Sequence, residues 1–273
     1  MVAPRDQEQN TRADPNKLMQ KTLELLEFGR IRELLASYTS LPISSGMALA
    51  LAPSYDRDTI TYRQQETSQA RLLIEQMGQV DLYMERDIRS IFDRVAKGGY
   101  LNGDEFLLII QCIDILKRAK TWPGRRKSVA SIIYSWARNI PDFQGLYDML
   151  KKAILPSGEL TDNASPYLSR LRVANRENFR RANENLQRIL SFEVDNEIIQ
   201  ERLVTVRADR LVIPIKAEFR SRISGIVHDI SDSGSTIFLE PIDNVPLCNL
   251  WRESQSAERE EVSNILRRLS GHV

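Results

Sequence analysis

The apolar positions of this chain follow two periods, helical for most of its length and alternating for a short stretch near residue 210. From Lys17, KLMQKTLELLEFGRIRELLASY repeats at helical spacing. Leu18, Leu25, Phe28 and Leu35 share one broad face, widened by Leu23, Leu26, Ile31 and Leu34. This predicts a helix with that face in the core. Pro42 and Pro53 bracket a short helix, and Asp56 or Asp58 opens a long polar one to about Met77. DIRSIFDRVAKGGYLNGDEFLLIIQCIDILKRAK reads as two helices broken at Gly98-Gly99. Asn102 and Glu105 have the spacing of a capping box, in which side chain and backbone satisfy each other reciprocally. Phe106, Ile109, Ile110, Ile113 and Leu116 then form a core stripe that ends at Trp122-Pro123-Gly124. Helices over about 127–139 and 142–154 follow. Residues 1–16 are polar and without period, and read as a mobile tail.

The character changes at Pro156-Ser157-Gly158. Ser165-Pro166 pairs an N-cap with a proline at the first helical position. The helix beginning there has roughly 30 residues and would reach about 45 Å. Its stripe is narrow: Leu168, Leu171, Ala174, Phe179, Ala182, Leu186, Ile189 and Leu190. Asparagines and arginines fill the rest, so this helix is expected to project and to pair along one side with a partner. In LVTVRADRLVIPIKAEFRSR the period becomes two, predicting two strands joined by a tight turn at Ala208-Asp209. Pro214 lacks a backbone donor, which predicts an edge position or a bulge for the second strand. Residues 225–230 and 235–239 predict two more strands around Asp232-Ser233-Gly234. Helical spacing returns from about Val245, with Val262, Ile265, Leu266 and Leu269 on its face. The fold class expected is mainly α: a helical core domain plus a long two-helix lever arm carrying a small antiparallel β clamp. Because no terminating domain follows the arm, a fragment is expected.

Composition narrows the functions. Lys and Arg number 38 against 37 Asp and Glu, so any basic binding surface must be local. Two cysteines, Cys112 and Cys248, lie in apolar helical runs and read as free thiols of a reducing compartment. No apolar run approaches the roughly 20 residues of a membrane span, and no signal-peptide core is found, so no membrane partner and a cytoplasmic location are expected. A phosphate-binding loop needs a glycine, four residues and Gly-Lys-Ser/Thr. The nearest text, PGRRKS at 123–128, has one glycine and the wrong spacing.

GIVHDISDSGSTIFLEP, residues 225–241, holds one of two histidines beside an aspartate and three serines. A hydrolytic triad draws its members from separate places. Here they are consecutive, and on a regular strand His228 and Asp229 would point to opposite faces. One histidine and two acids lack the spacing of a metal cage. Two readings stay open: a polar turn capping a small sheet, or a tip whose backbone and hydroxyls touch phosphates or a protein. Around it Arg202, Arg207, Arg210, Lys216, Arg220 and Arg222 crowd the sheet. Arg170, Arg172, Arg176, Arg180, Arg181 and Arg188 mark the preceding helix. Such clusters are either solvated faces, paired in part with Glu253, Glu258, Glu260 and Glu261, or a sequence-independent grip on phosphates.

Several words of this chain, in order, resemble the second bacterial branch of the MutS family. They are LEFGRIRELLASYTS, DIRSIFDRVAKGGYL, LTDNASPYLSRLR and VTVRADRLVIPIKAEFRSRISGIVHDISDSGSTIFLEP. The branch usually has Gln where Ile230 follows the His-Asp pair, and Asn or a nearby Gly where Asp209 stands. The resemblance covers about residues 17–273. It implies a core domain over 17–160, lever helices over 161–202 and 242–273, and a clamp over 203–241. It also implies that a dimerising ATPase domain using ATP and Mg, and a nuclease-type domain, lie outside this chain, and that the mismatch-reading domain of true mismatch-repair members is lacking. The branch is linked to branched DNA, to suppression of recombination, and to collided ribosomes. Family position therefore favours a non-catalytic grip on DNA or rRNA, with Arg207, Arg210, Lys216, Arg220, Arg222 and His228 as candidate nucleic-acid contacts and no cofactor of its own. The alternative is an interaction or dimerisation scaffold that does not touch nucleic acid.

Overall fold

The computed structural model describes residues 15–192, 195 and 197–273. The expected tail therefore lies outside the described residues up to residue 14, and a helix has already begun at Pro15. The fold is mainly α with one small antiparallel sheet. It divides into two compact units, residues 1–90 with 108–143, and residues 91–107 with 144–273.

In the first unit the long predicted opening helix is two helices, α1 (Pro15–Leu25) and α2 (Phe28–Ser37). Glu27 breaks it with left-handed backbone at φ 51°. The Glu27 amide donates to the Glu24 carbonyl, tightening the end of α1, and the Glu27 carbonyl accepts from Arg30 and Ile31 to start α2. Apolar spacing runs unchanged across this two-residue break, Leu26-Glu27, so periodicity passes over it. The expected core face is also uncovered: Leu25, Leu26, Ile31, Leu34 and Leu35 are exposed, while the side chain of Leu18 lies outside the described residues. Helix α3 (Pro42–Leu49) and helix α4 (Arg57–Met77) follow. Asp56 caps α4 by accepting the Thr59 amide at 3.0 Å. The chain then crosses into the second unit over residues 91–107 and returns at 108: α5 (Arg89–Ala96) and α6 (Gly103–Thr121) are separated at Gly98, φ 85°, as the glycine pair predicted. The capping box forms: Glu105 N–H donates to Asn102 at 2.9 Å and Asn102 N–H to Glu105 at 3.0 Å. Ile109, Ile110 and Ile113 of α6 are buried. Gln69 of α4 accepts the Ile132 amide at 2.8 Å, joining α4 to α7 (Ser131–Asn139).

In the second unit α8 (Gln144–Ala153) leads to a tight reversal closed by the bridge of Ile154 with Leu160, where Gly158 takes φ 82°. Ser165 then caps α9 (Pro166–Phe192), accepting the Leu168 amide at 2.9 Å. Helix α10 (Val245–Ser270) runs antiparallel to α9. Ser165 donates to Glu261, Arg172 to Glu258, and Asn185 to Asn244, so contacts climb one helix as they descend the other. Phe179 and Trp251 meet between them with ring centroids 5.2 Å apart. Leu168, Ala182, Leu186, Ile189 and Leu190 are buried as the stripe predicted; Ala174 is exposed.

The sheet comprises β1 (Thr205–Arg207), β2 (Arg210–Lys216), β3 (Gly225–Ile230) and β4 (Thr236–Pro241), in the order β1-β2-β4-β3. Ala208 and Asp209 both take positive φ, 48° and 57°, the two-residue turn whose twist suits a hairpin. Its core face carries Ile213, Ile215, Ile237 and Leu239, packed with Leu186 and Trp251. Pro214 corrects the edge expectation, because β2 is central and pairs β4 regularly there. The Pro214 carbonyl points the other way and accepts from Gln200 at 3.1 Å. Extending that pairing needs a donor that a proline nitrogen lacks, and it stops at the single bridge of Ile199 with Ile215.

Gly103 lies against the Gly158 backbone in the second unit. A Cβ there would lie 1.6 Å from the Gly158 carbonyl oxygen. Gly103→Ala is expected to lower stability by about 2 kcal/mol or more through forced displacement. Gly145→Ala in α8, with nothing within 4 Å, should be neutral or slightly stabilising. Urea denaturation of both variants checks the contrast.

Candidate nucleic-acid interface

The face of the sheet opposite Ile237 and Leu239 carries Phe238 and Glu240, by strand alternation. Glu240 is fully buried. Its Oε2 lies 2.6 Å from His228 Nε2, and its Oε1 lies 3.3 Å from Arg210 Nη1. A buried carboxylate needs such partners, because desolvation without them costs several kcal/mol.

A β-bulge makes this possible. Val227 pairs with Leu239 and Asp229 with Phe238, leaving His228 as the extra residue between them. The divergence expected for His228 and Asp229 on a regular strand is thereby corrected. His228 turns to Glu240, while Asp229 reaches Arg207 at 3.3 Å, and that guanidinium sits 4.4 Å above the Phe238 ring. Phe238 and Glu240 lie two residues apart on one face, so the bulge sends both neighbours to the same side.

Three of the six predicted contacts thus have partners inside the sheet, and a fourth has one on the turn beside it. Arg210 and His228 are held by Glu240, with side chains only 15% and 17% exposed. Arg207 is half-buried against Phe238 and Asp229. The Lys216 ammonium lies 6.0 Å from the Phe219 ring. Arg220 and Arg222 differ. Both are exposed on the 3-10 turn Ala217–Arg222 and make no ion pair among the described residues. The structure brings the first four onto or beside one sheet face and sets the last two on the turn after it.

The hairpin tip is a ladder of hydroxyls. Ser233 Oγ lies 3.3 Å from Ser231 Oγ and 2.8 Å from Ser235 Oγ, and Ser231 Oγ accepts the Thr236 amide at 3.1 Å. The three serines thus bond one another, and the ring of His228 bonds a carboxylate.

Sequence reasoning missed Glu240 and the polar chain behind it. Asn185 of α9 donates to Asn244 at 3.0 Å, and Asn244, fully buried, donates to Cys248 Sγ at 3.3 Å. Burial pushes the Cys248 thiol up to about 12, and the nearby Glu240 carboxylate adds to this. The available signal was Glu240 itself, a lone charge between apolar Leu239 and Pro241 in a strand.

The arginines of α9 are mostly committed too. Arg172 bonds Glu258 at 3.1 Å and Asp162 at 2.5 Å. Arg180 and Arg181 bond Glu177 within their own helix, holding its carboxyl down at about 2. A cleft of about 770 Å³ beside Arg172 and Arg176 is also lined by Glu159, Asp162 and Glu258, so its charges offset.

At 123–128 the backbone does not form a phosphate cradle. Gly124 N–H donates to Thr121, Arg126 N–H to Pro123, and the Arg126 guanidinium to Gln76.

No protein-family model matches the chain. Curated relatives do. The chain is 35% identical to Endonuclease MutS2 of Thermomicrobium roseum, matched over 92% of this chain and 32% of that protein. The corresponding proteins of Symbiobacterium thermophilum and Geobacillus thermodenitrificans are each 34% identical, over 93% and 94% of this chain and 32% and 33% of their own lengths. Likeness this continuous, with the sheet and paired helices above, makes the chain one of the MutS proteins. Within them it belongs to the MutS2 family. It spans about a third of the length of the relatives it matches. No described helix is long and apolar enough to cross a membrane.

Removing one partner of the buried cluster should be costly. Arg210→Met is expected to destabilise by about 3 kcal/mol because it leaves Glu240 charged with one partner fewer. Combining it with Glu240→Gln should cost less than the sum of the single changes, since the residues couple. Thermal unfolding of the three variants measures this. Cys248 should stay unmodified by iodoacetamide at pH 8 until the chain unfolds. The stability from its raised pKa is full below about 9 and lost as pH rises towards about 12.

Proposed function

We propose that this chain is the core, lever and clamp portion of a MutS-type ATPase and grips nucleic acid without catalysing a reaction itself. In this reading residues 17–160 transmit the state of an ATPase domain outside this chain, where ATP and Mg act. Residues 161–202 and 242–273 are levers, and 203–241 close on the substrate. The substrate class is structured nucleic acid, branched or double-stranded DNA or ribosomal RNA, met in the cytoplasm during recombination suppression or ribosome rescue. The endonuclease named in the relatives belongs, in this reading, to residues beyond this chain.

The observation that carries it is the exposed pair Arg220 and Arg222 on a turn of a sheet braced by two long helices. Unpaired guanidiniums on a rigid support suit phosphate oxygens, whose recognition is independent of sequence. The committed residues Arg207, Arg210 and His228 shape the support. Lys216, beside the turn, adds charge.

Fluorescence anisotropy with a four-way DNA junction and with a ribosomal RNA hairpin, at several salt concentrations, tests this. Arg220→Ala with Arg222→Ala should reduce the slope of log affinity against log salt by about 2 for either probe. An unchanged slope and affinity would remove the phosphate grip from this turn.

A further inference from the structure

The densest run of positive charge in the chain lies in the first unit, not in the unit of the sheet. Residues 117–127 carry Lys117, Arg118, Lys120, Arg125, Arg126 and Lys127, and no acid stands between Asp114 and Asp142. Arg118 and Lys120 close the last turn of α6. The chain then passes through tight turns: Trp122 N–H donates to Arg118 at 2.9 Å, Gly124 N–H to Thr121 at 3.0 Å, and Ala130 N–H to Arg126 at 3.0 Å. The turns are pinned to the end of α4, where the Trp122 indole donates to the Gly78 carbonyl at 3.2 Å and the Arg126 guanidinium to the Gln76 side chain at 3.2 Å. Pro123 and Ala130 are buried. Lys120, Arg125 and Lys127 are exposed and make no ion pair among the described residues. Arg118 has an exposed contact with Asp81 at 3.5 Å, which contributes little in water.

The helix dipole accounts for part of this charge. Cations are favoured at the carbonyl end of a helix, which explains Arg118 and Lys120. It does not explain Arg125 and Lys127, which lie past that end and just before the N-terminus of α7, where positive charge is disfavoured. Their repulsion is left uncompensated among the described residues. We propose that Lys120, Arg125 and Lys127 are a phosphate-binding site for nucleic acid, a second contact separate from the turn that carries Arg220 and Arg222. The braced backbone holds these cations in place before binding, which lowers the ordering cost. Side chains make the contact, since the N–H groups of Gly124 and Arg126 are already bonded. Arg118 can exchange Asp81 for phosphate. Trp122, the aromatic residue of the turns, is half-buried and tied to Gly78, so it is not free to anchor a protein partner. A polyanion bound through charge is the ligand such a surface selects. The proposal shares the ligand class of the sheet reading and none of its residues, so either can fail alone.

Anisotropy titrations of the chain with a short DNA duplex and with an RNA hairpin, across salt concentrations, test this. Lys120→Ala with Arg125→Ala and Lys127→Ala should lower the slope of log affinity against log salt by about 2.7 for the duplex, at about 0.9 per phosphate contact. The loss should add to that of the Arg220→Ala, Arg222→Ala pair when all five changes are combined, because the sites share no residue. Lys120→Arg with Arg125→Lys and Lys127→Arg should keep the slope, since neutralising phosphate needs the charge and not one particular side chain. Thermal unfolding should be unchanged in both triple variants, as the three side chains are exposed and unpaired. An unaltered slope in the alanine triple overturns the proposal even where the Arg220, Arg222 pair lowers it. A fall in that triple, with the pair without effect, keeps this site and removes the other. Equal competition by poly-glutamate and by duplex DNA at matched charge also overturns it and assigns the surface to an acidic polypeptide.

Discussion

Glu240 carries a charge where water does not reach, and the geometry of the sheet follows from satisfying it. An isolated carboxylate in that position would be strongly unfavourable. Arg210 comes to it from β2, and His228 comes from β3 only because a bulge turns it inward. That insertion in turn places Asp229 within reach of Arg207, whose guanidinium lies over Phe238. Three strands meet at one buried charge, and the fourth, β1, is tied to the same bulge through Arg207. A hydrophobic residue in its place is often no less stable. What the ionic version supplies here is a single alignment of β2, β3 and β4, since sliding any strand by one residue would strand the charge.

The same logic holds the two long helices. Their shared stripe is narrow, and a narrow apolar seam alone specifies register poorly. Polar cross-contacts are spread along its length: Ser165 with Glu261, Arg172 and Asn175 with Glu258, and Asn185 with Asn244. Each is satisfied at one alignment. Asn244 then passes the connection to Cys248 at the base of the sheet. The polar hub and the helix pair are thus one bonded structure, which is why a sheet of four short strands is held firmly on its support.

Features written in neighbouring residues were legible in the sequence. The Asn102–Glu105 box, the Asp56 and Ser165 caps, the break at Gly98 and the turn at Ala208-Asp209 all formed where local chemistry placed them. What was not legible depends on partners far along the chain. Arg210 and Glu240 are 30 residues apart, so the arginine looks like any other surface cation until the strands are aligned. His228 was hidden differently, because alternation assumes a regular strand and a bulge breaks that assumption. The stripe of α2 is helical in period, but period says nothing about which way the face turns. The six candidate contacts were therefore grouped by the sequence but not sorted: Arg220 and Arg222 are exposed on the turn, and the other four have partners in or beside the sheet.

The turn between β1 and β2 has a further consequence. Ala208 and Asp209 both adopt left-handed backbone, which costs a residue with a side chain about 1 kcal/mol or more, and neither is glycine. Strand β1 is held by three residue pairs only. A strand held by so few pairs is the kind of segment that opens locally below the cost of global unfolding. Detachment would lift Arg207 from Phe238 and Asp229 and turn a structural cation into a mobile one. How far the Arg207 guanidinium can move from Phe238 and Asp229 therefore depends on the three residue pairs that hold β1.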